Sequence, residues 1–235
     1  MTELHPWNVS ASQAVKIQQQ LRCQINIKPL DQPIRHIAGA DISFNKGSDQ
    51  FFAGIVLLEY PSMTKVGHAL VSFRASFPYI PGLLSFREIP ALLVAWQMLP
   101  EKPDLIMLDG HGIAHPRRLG IASHFGLWVD KPSLGCAKKL LTGMHEVVPA
   151  EAPACTRLFD KDGQIGIALR TRTNVKPVYI SPGHLIDFES AEEITRHCLG
   201  GYRLPEPTRQ AHLLVNRLRK GQEEEGFKLY QNGVV

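Results

Sequence analysis

Apolar residues recur in the chain at the spacings of helices and strands, with turn-forming residues between them. Ser10 can cap a helix that continues through Leu21, with Ile25 and Ile27 near its end. Strand-like runs then follow, with hairpin-forming joints at Asn45-Lys46-Gly47 and Pro61-Ser62: Ile37–Phe44, Phe51–Tyr60 and Lys65–Phe73.

The second half of the chain alternates helical and strand patterns. A helix is predicted from about Ser85 to Met98, and Leu105–Leu108 is a buried strand that stops at Asp109. Ser190 and Glu193 have the spacing of a capping box. The remaining patterns predict helices at Ile121–Val129, Ala191–Cys198 and Thr208–Lys220, and strands at Leu134–Ala137, Ile165–Arg170 and Val178–Ile180. This order favours one α/β domain over residues 1–235, with a mixed sheet and helices on its faces.

Composition narrows the class of protein only slightly. A formal net charge of +4 permits nucleic acid as a partner without requiring it. The four cysteines are widely spaced and form no C-x-x-C pair, so reduced thiols are expected rather than disulfides or a zinc site. The first residues lack the pattern of a signal peptide, and no apolar run is long enough to cross a bilayer. We therefore expect a cytoplasmic protein that does not bind membranes.

The segment after the buried strand carries most of the candidate chemistry. Asp109 ends the strand, and Gly110 follows at once, so the backbone can approach a ligand beside the carboxylate. His115, Arg117 and Arg118 come next, which suits a metal ion and a phosphate. A turn with an Asx cap would explain Asp109 alone, but not this concentration of histidine, arginine and glycine.

Two further carboxylates lie where a metal site could use them. Asp41 lies inside an apolar strand, where an unpaired charge is costly, and Glu88 falls near the start of the helix before Asp109. If the two strands are adjacent, the three carboxylates can converge on one hard cation, Mg²⁺ or Mn²⁺. Alternatively, Glu88 completes a capping box with Ser85, or the helix begins at Pro90.

The histidine spacing does not favour zinc. His111 and His115 are four residues apart, as in a zinc hydrolase, but there a helix carries both ligands and a glutamate follows the first. Here Gly112 takes the place of that glutamate, and Gly110 and Pro116 argue against a helix.

A stiff loop precedes the Ser85–Met98 helix. Pro78 and Pro81 bracket Tyr79 and Ile80, and each proline fixes φ and removes a hydrogen-bond donor. Such a loop could separate stacked bases as a wedge, or it could be a hydrophobic turn folded onto its own core. Gly82 and the residues after it could offer backbone groups to a small planar ligand.

Three long segments, AGADISF, PYIPGLLSFRE and DGHGIAHPRRLGIASHFG, resemble bacterial endonuclease V, the deoxyinosine-specific repair nuclease. Their order and spacing match from about Ile37 to Pro205–Arg209. The resemblance implies a ribonuclease-H-like fold and a Mg²⁺-dependent enzyme, for which Mn²⁺ can substitute. That family cuts the second phosphodiester bond on the 3′ side of a deaminated base, in duplex or single-stranded DNA. We expect a monomer.

The resemblance also implies roles for individual residues. Asp41 and Asp109 would be the main metal ligands with Glu88, and His115, Lys138 and His212 would contact DNA or the reacting phosphate. The remaining roles are a wedge formed by Pro78, Tyr79, Ile80 and Pro81, a base pocket lined by Gly82, Leu84, Gly110, Gly120 and Ile121, and phosphate contacts from Arg117 and Arg118.

Two other classes stay open at this point. A non-catalytic nucleic-acid-binding protein on the same fold is disfavoured by the intact carboxylates. A structure-specific or RNA-directed nuclease that ignores base identity is disfavoured by the wedge loop and by the glycines beside Asp109. The sequence does not decide the breadth of lesions, the activity on RNA, or whether one or two metal ions bind.

Overall fold

The strands predicted in the amino-terminal part of the chain form the centre and one side of a mixed β-sheet. The structure, a computed structural model, describes residues 3–230, and within that range the sheet has nine strands and the chain has five α-helices. The strands are β1 (His36–Phe44), β2 (Gln50–Glu59), β3 (Lys65–Arg74), β4 (Leu105–Leu108), β5 (Ser133–Ala137), β6 (Ala154–Asp160), β7 (Gly163–Arg170), β8 (Val178–His184) and β9 (Gly226–Leu229). The helices are α1 (Ala11–Leu21), α2 (Leu84–Met98), α3 (Ile121–Val129), α4 (Phe188–His197) and α5 (Glu206–Arg219).

The strand order across the sheet is β6-β7-β8-β5-β4-β1-β2-β3-β9. The pairs β1–β4 and β4–β5 are parallel, and the other neighbouring pairs are antiparallel. One sheet therefore holds the described part of the chain together as a single domain. The ribonuclease-H-like mixed sheet that the sequence predicted is confirmed, while the outer limits of that prediction, residues 1, 2 and 231–235, lie outside the described range.

Helices cover both faces of this sheet. Helices α2 and α3 pack on one face around a buried cluster that includes Ile55, Leu92 and Phe125. Helices α4 and α5 cover the other face, around a second cluster that includes Met107 and Val215. Burial of both faces explains why β4 reads as a continuous apolar run instead of an alternating one.

A glycine brings α5 unusually close to the central strand β1. A Cβ atom on Gly39 would lie 1.8 Å from the carbonyl oxygen of Pro207, at the start of α5. Only a residue without a side chain permits this approach. The contact places α5 across β1, so that residues further along α5 lie beside the end of that strand.

The structure corrects the predicted bounds of two helices. The first helix ends at Leu21 and a single 3₁₀ turn follows, so Ile25 and Ile27 lie beyond it. Helix α4 begins earlier than predicted, and the side chain of Asp187 caps it by accepting from the amide of Ser190 at 2.8 Å. The predicted capping box is therefore wrong, because the Ser190 hydroxyl instead accepts a hydrogen bond from the distant amide of Leu30.

Both alternatives for the start of α2 are also wrong. Leu83 precedes the helix without a side-chain cap, and Pro90 lies inside the helix. The hydroxyl of Ser85 is buried and has no hydrogen-bond partner, so it does not cap the helix. Burial of the apolar residues of α2 against the sheet compensates for the missing cap and for the backbone hydrogen bond that Pro90 cannot make.

Two edge strands, β6 and β9, were not predicted from the sequence. Both are largely exposed or half-buried, so their sequences lack the apolar alternation that marks strands β1 to β3.

Candidate active site

The carboxylates of Asp41 and Asp109 meet at one edge of the sheet. Ala40 on β1 lies opposite Leu108 on the parallel strand β4, and the amide of Asp109 donates to the Ala40 carbonyl at 3.0 Å. The two aspartates are thus neighbours across the sheet. The sequence predicted this arrangement on the condition that the two strands are adjacent, and they are. Their oxygens and a ring nitrogen of His212 all lie within 4.8 Å of one another.

Glu88 adds a third carboxylate from α2. Its side chain is buried, and burial together with the charges of Asp41 and Asp109 raises the pKa of Glu88 to about 8. Burial and the charge of Asp41 also raise the pKa of Asp109, although Lys138 acts in the opposite direction. One buried and two half-buried carboxylates at one sheet edge form a set of oxygen donors that fits a divalent cation.

Two side chains with a positive or protonatable group contact the aspartates. Lys138, just after β5, donates a hydrogen bond and forms an ion pair with Asp109. His212 on α5 lies with its Nδ1 atom 2.7 Å from an oxygen of Asp41. The structure therefore brings five of the six predicted catalytic residues to one place: Asp41, Glu88, Asp109, Lys138 and His212.

A cavity of about 190 Å³ lies beside the carboxylates. Gly110, the residue that follows Asp109, lines it, and Tyr79, Ile80 and Pro81 lie along its wall. All five residues that were predicted to line a base pocket contribute to this one cavity: Gly82, Leu84, Gly110, Gly120 and Ile121. Their binding role stays a prediction, but the fold brings them together from three separate segments.

The carbonyl oxygen of Gly82 anchors one wall of the cavity. It accepts hydrogen bonds from His115 at 3.1 Å, from Arg117 at 2.6 Å and from Gln18 at 3.0 Å. Gly82 has φ of +78°, a left-handed conformation that favours glycine. The donors come from α1 and from the segment after Asp109, so the proline-bracketed loop is held from two sides.

Tyr79 projects from this loop into solvent. Its side chain is 66% exposed, the largest exposed fraction of any aromatic side chain in the described part of the chain. Pro78 and Pro81 are also exposed, whereas Ile80 packs against a small cluster formed by α1 and the residues that flank the loop. The hydrophobic-turn alternative therefore describes Ile80 but not Tyr79.

The structure places His115 with the cavity rather than with the carboxylates. Its ring is buried, and burial together with the charge of Arg117 lowers the pKa of His115 to about 4. A neutral ring that donates from Nε2 to Gly82 accepts from the Arg117 amide at Nδ1, at 3.2 Å. This arrangement supports the pocket wall, and the predicted contact of His115 with DNA or phosphate stays a prediction.

The two arginines predicted to bind phosphate have partners within the protein. Arg117 contacts Gln18 and Gly82, whereas Arg118 pairs with Asp160 at 2.6 Å. Their phosphate contacts stay predictions. His111 and His115 do not pair as zinc ligands, since their rings bond to the backbone carbonyls of Lys139 and Gly82.

Sequence reasoning missed Gln18, Leu141 and Asn216. Gln18 is buried on α1 between Ala14 and Leu21. A glutamine on the apolar face of a helix indicates a buried polar contact, so the sequence could have identified it. Leu141 lines the cavity and Asn216 contacts His212, but no local pattern marks either residue.

Comparison with known proteins identifies relatives along most of the chain. Residues 19–213 match the family described as Endonuclease V. The Endonuclease V of Gloeobacter violaceus is 47% identical over 223 residues, which cover 94% of this chain and 91% of that protein. The crystal structure of the Streptomyces avermitilis Endonuclease V is 37% identical, with a TM-score of 0.85 over 92% of this chain and 95% of that one.

A third relative has been solved with nucleic acid. The Ciona intestinalis Endonuclease V is 27% identical, with a TM-score of 0.78 over 90% of this chain and 98% of that one. Its crystal structure is a complex with a 24mer DNA that contains an inosine followed by a ribo-adenosine.

The mixed sheet, the carboxylates at its edge and these likenesses define a nuclease that cuts within a strand, a phosphodiester hydrolase. The chain belongs to the Endonuclease V family.

Proposed function

We propose that this endonuclease recognises deoxyinosine in DNA and hydrolyses the second phosphodiester bond on its 3′ side, as an enzyme of DNA repair. Water replaces the 3′-oxygen at phosphorus, which leaves a 3′-hydroxyl and a 5′-phosphate. The observation that carries the proposal is one cavity of about 190 Å³ that is lined both by the exposed Tyr79 and by Gly110, the residue next to the carboxylate of Asp109. A base binds in the cavity while the strand continues to the carboxylates.

Backbone groups would select the base. Hypoxanthine offers both a donor and an acceptor on its edge, and it lacks the 2-amino group of guanine. The peptide at Gly82 is held in a fixed position, because three side chains donate to its carbonyl oxygen, and Gly110 also lines the cavity. A pocket of fixed peptide groups discriminates strongly, since a mismatched base leaves a buried polar group unpaired.

Asp41, Glu88 and Asp109 would hold Mg²⁺, with Mn²⁺ as a substitute. A bound ion would activate water, polarise the phosphate and stabilise the leaving 3′-oxygen. The fit rests on the raised pKa values of Glu88 and Asp109. Burial is the first cause of both shifts and the charge of Asp41 is the second, and a bound divalent cation would offset that negative charge.

The other predicted site residues would orient a metal ligand, add positive charge or contact the bases. Lys138 pairs with Asp109 and brings a positive charge to the edge where the phosphate would lie. His212 orients the carboxylate of Asp41 through Nδ1. Tyr79 would fill the gap left in the base stack when the inosine is extruded, at a loop that two prolines keep stiff.

The setting of the reaction is part of the proposal. We propose a monomer that works in the cytoplasm on inosine-containing DNA, duplex or single-stranded, without a membrane partner. In the described range of 3–230, no helix has the length and apolar character to pass through a bilayer.

The test is cleavage of end-labelled duplexes that carry one inosine, with and without Mg²⁺, and with products mapped to the nucleotide. The expected result is one nick at the second 3′ bond, only with metal, and little cutting of the matched adenine or guanine duplex. A parallel duplex with an inosine followed by a ribo-adenosine measures the preference between DNA and RNA at the cleavage position. Equal cutting of all bases would favour the structure-specific alternative, and binding without cutting would favour the non-catalytic one.

A further inference from the structure

A ladder of polar side chains runs along α5 and β1, away from the carboxylates. His212, Asn216 and Arg219 lie on one face of α5, opposite alternate residues of β1 and the turn after it. The contacts are His212 with Asp41 at 2.7 Å, Asn216 with Ser43 at 3.1 Å, and Arg219 with Asn45 at 2.8 Å. The close approach of α5 to β1 at Gly39 makes this pairing possible.

The partners of Asn216 determine which way its amide points. The Ser43 hydroxyl and the Arg219 guanidinium both donate to Oδ1 of Asn216, at 3.1 and 3.0 Å. A guanidinium has only donors, so the oxygen of the amide must face it and the NH₂ group must face His212. That NH₂ group donates to the backbone carbonyl of His212 at 2.7 Å.

The amide nitrogen of Asn216 also covers the ring of His212. It lies 3.5 Å from Nδ1 and 3.3 Å from Nε2. Nearly equal distances to both ring nitrogens place it over the ring face rather than in line with either lone pair. An amide in that place blocks rotation of the ring, while Nδ1 faces Asp41.

We propose that Asn216 is a positioning residue that holds the His212 ring with Nδ1–H directed at Asp41, so that Asp41 stays aligned for metal binding. A carboxylate oxygen only accepts, so the Nδ1 atom that faces Asp41 carries a proton. His212 then acts through Asp41 as a hydrogen-bond partner of a metal-binding carboxylate, and its Nδ1 is not itself a ligand. Such outer partners fix the orientation of metal ligands.

The experiment reads the ring directly in metal-free protein at one fixed pH. Nitrogen-15 NMR of the histidine rings shows which ring nitrogen carries the proton, and a His212→Gln spectrum identifies the His212 signals. The wild type is expected to show one tautomer, protonated at Nδ1. Asn216→Ala is expected to show both tautomers in exchange and to bind Mg²⁺ about tenfold more weakly by titration, a loss typical of removing an outer partner.

Two further variants make the result decisive. Ser43→Ala loosens the Asn216 amide without touching His212, and it is expected to shift the tautomer in the same direction by a smaller amount. Gln210→Ala removes a different amide from α5, one bonded to Glu206, and it should leave the His212 signals unchanged. A single Nδ1–H tautomer in Asn216→Ala and Ser43→Ala, with wild-type Mg²⁺ affinity, would overturn the proposal.

The inference rests on the proposed function, but the two fail in different ways. If the wild type does not prefer inosine, the substrate assignment is wrong while the ring spectra still test Asn216. If the spectra do not respond while inosine is cut, only the positioning role is wrong.

Discussion

The amide of Asp109 donates a hydrogen bond to the carbonyl of Ala40 at 3.0 Å, and this one contact places two carboxylates side by side. Ala40 precedes Asp41 on β1, and Asp109 is the first residue after β4. Parallel pairing of the two strands therefore creates the acidic centre, although about seventy residues of chain separate its members.

We expect Asp109→Asn to lower the rate of strand cleavage in Mg²⁺ by about three orders of magnitude, because several kcal/mol of transition-state stabilisation by the metal is lost. An amide of the same shape preserves the strand and the fold. Binding of inosine-containing DNA, measured by fluorescence anisotropy in Ca²⁺, should largely survive. Asp49→Asn, at an exposed carboxylate paired with Arg74, is the control and should cut normally. Full activity of a folded Asp109→Asn variant would contradict the metal site.

The raised pKa of Glu88 predicts a dependence of stability on pH in metal-free protein. Between pH 4.5, the ordinary value, and about pH 8, the folded state binds a proton that the unfolded chain does not. The free energy of unfolding should therefore fall as pH rises through this window, by a few kcal/mol in order of magnitude. Glu88→Gln should remove that fall, and saturating Mg²⁺ should offset it in the wild type.

Urea unfolding of the wild type and Glu88→Gln at several pH values between 5 and 9 measures this difference. Histidines whose pKa is lowered by burial, such as His111 and His115, titrate in both proteins and cancel in the comparison. Parallel stability curves for the two proteins would show that Glu88 ionises without hindrance.

Tyr79→Ala should weaken binding to an inosine-containing duplex by about one to two orders of magnitude, since stacking on a base is worth roughly 1–3 kcal/mol. The loss should be smaller for a single strand, where less unstacking has to be offset. Tyr79→Phe keeps the ring and should bind like the wild type. The measurement is the ratio of duplex to single-strand affinity. If that ratio and both affinities are unchanged in Tyr79→Ala, the wedge role is wrong.

Comparing Arg117→Ala with Arg118→Ala should distinguish a residue that supports the cavity wall from one that binds phosphate. Arg118 lies outside the Gly82 contacts, so its loss should weaken inosine and undamaged DNA alike and flatten the salt dependence. Arg117 holds Gly82, so its loss should reduce the preference for inosine over adenine. Anisotropy titrations at four salt concentrations measure both effects. A changed base preference in Arg118→Ala, without a change in salt slope, would argue against a phosphate contact.

The sequence alone marked the central strands, the helices and the acidic residues that meet at the sheet edge. Apolar periodicity marks the central strands, because strands buried on one or both faces need apolar residues at fixed spacing. Asp41, Glu88 and Asp109 stood out since a carboxylate in or beside an apolar run needs a partner. The two prolines around Tyr79 marked the loop by their own covalent geometry.

Only the tertiary structure decided which groups meet. Gln18 reaches Gly82 across 64 residues and Asn216 reaches Ser43 across 173, and such contacts depend on how elements pack rather than on any local pattern. The sequence predicted Ser190 as the cap of α4, but Asp187 caps it. The Ser190 hydroxyl instead accepts from the amide of Leu30, a contact that depends on how α4 packs. Strands β6 and β9 exist because a neighbouring strand offers unpaired peptide groups, and backbone pairing leaves little trace in the side chains.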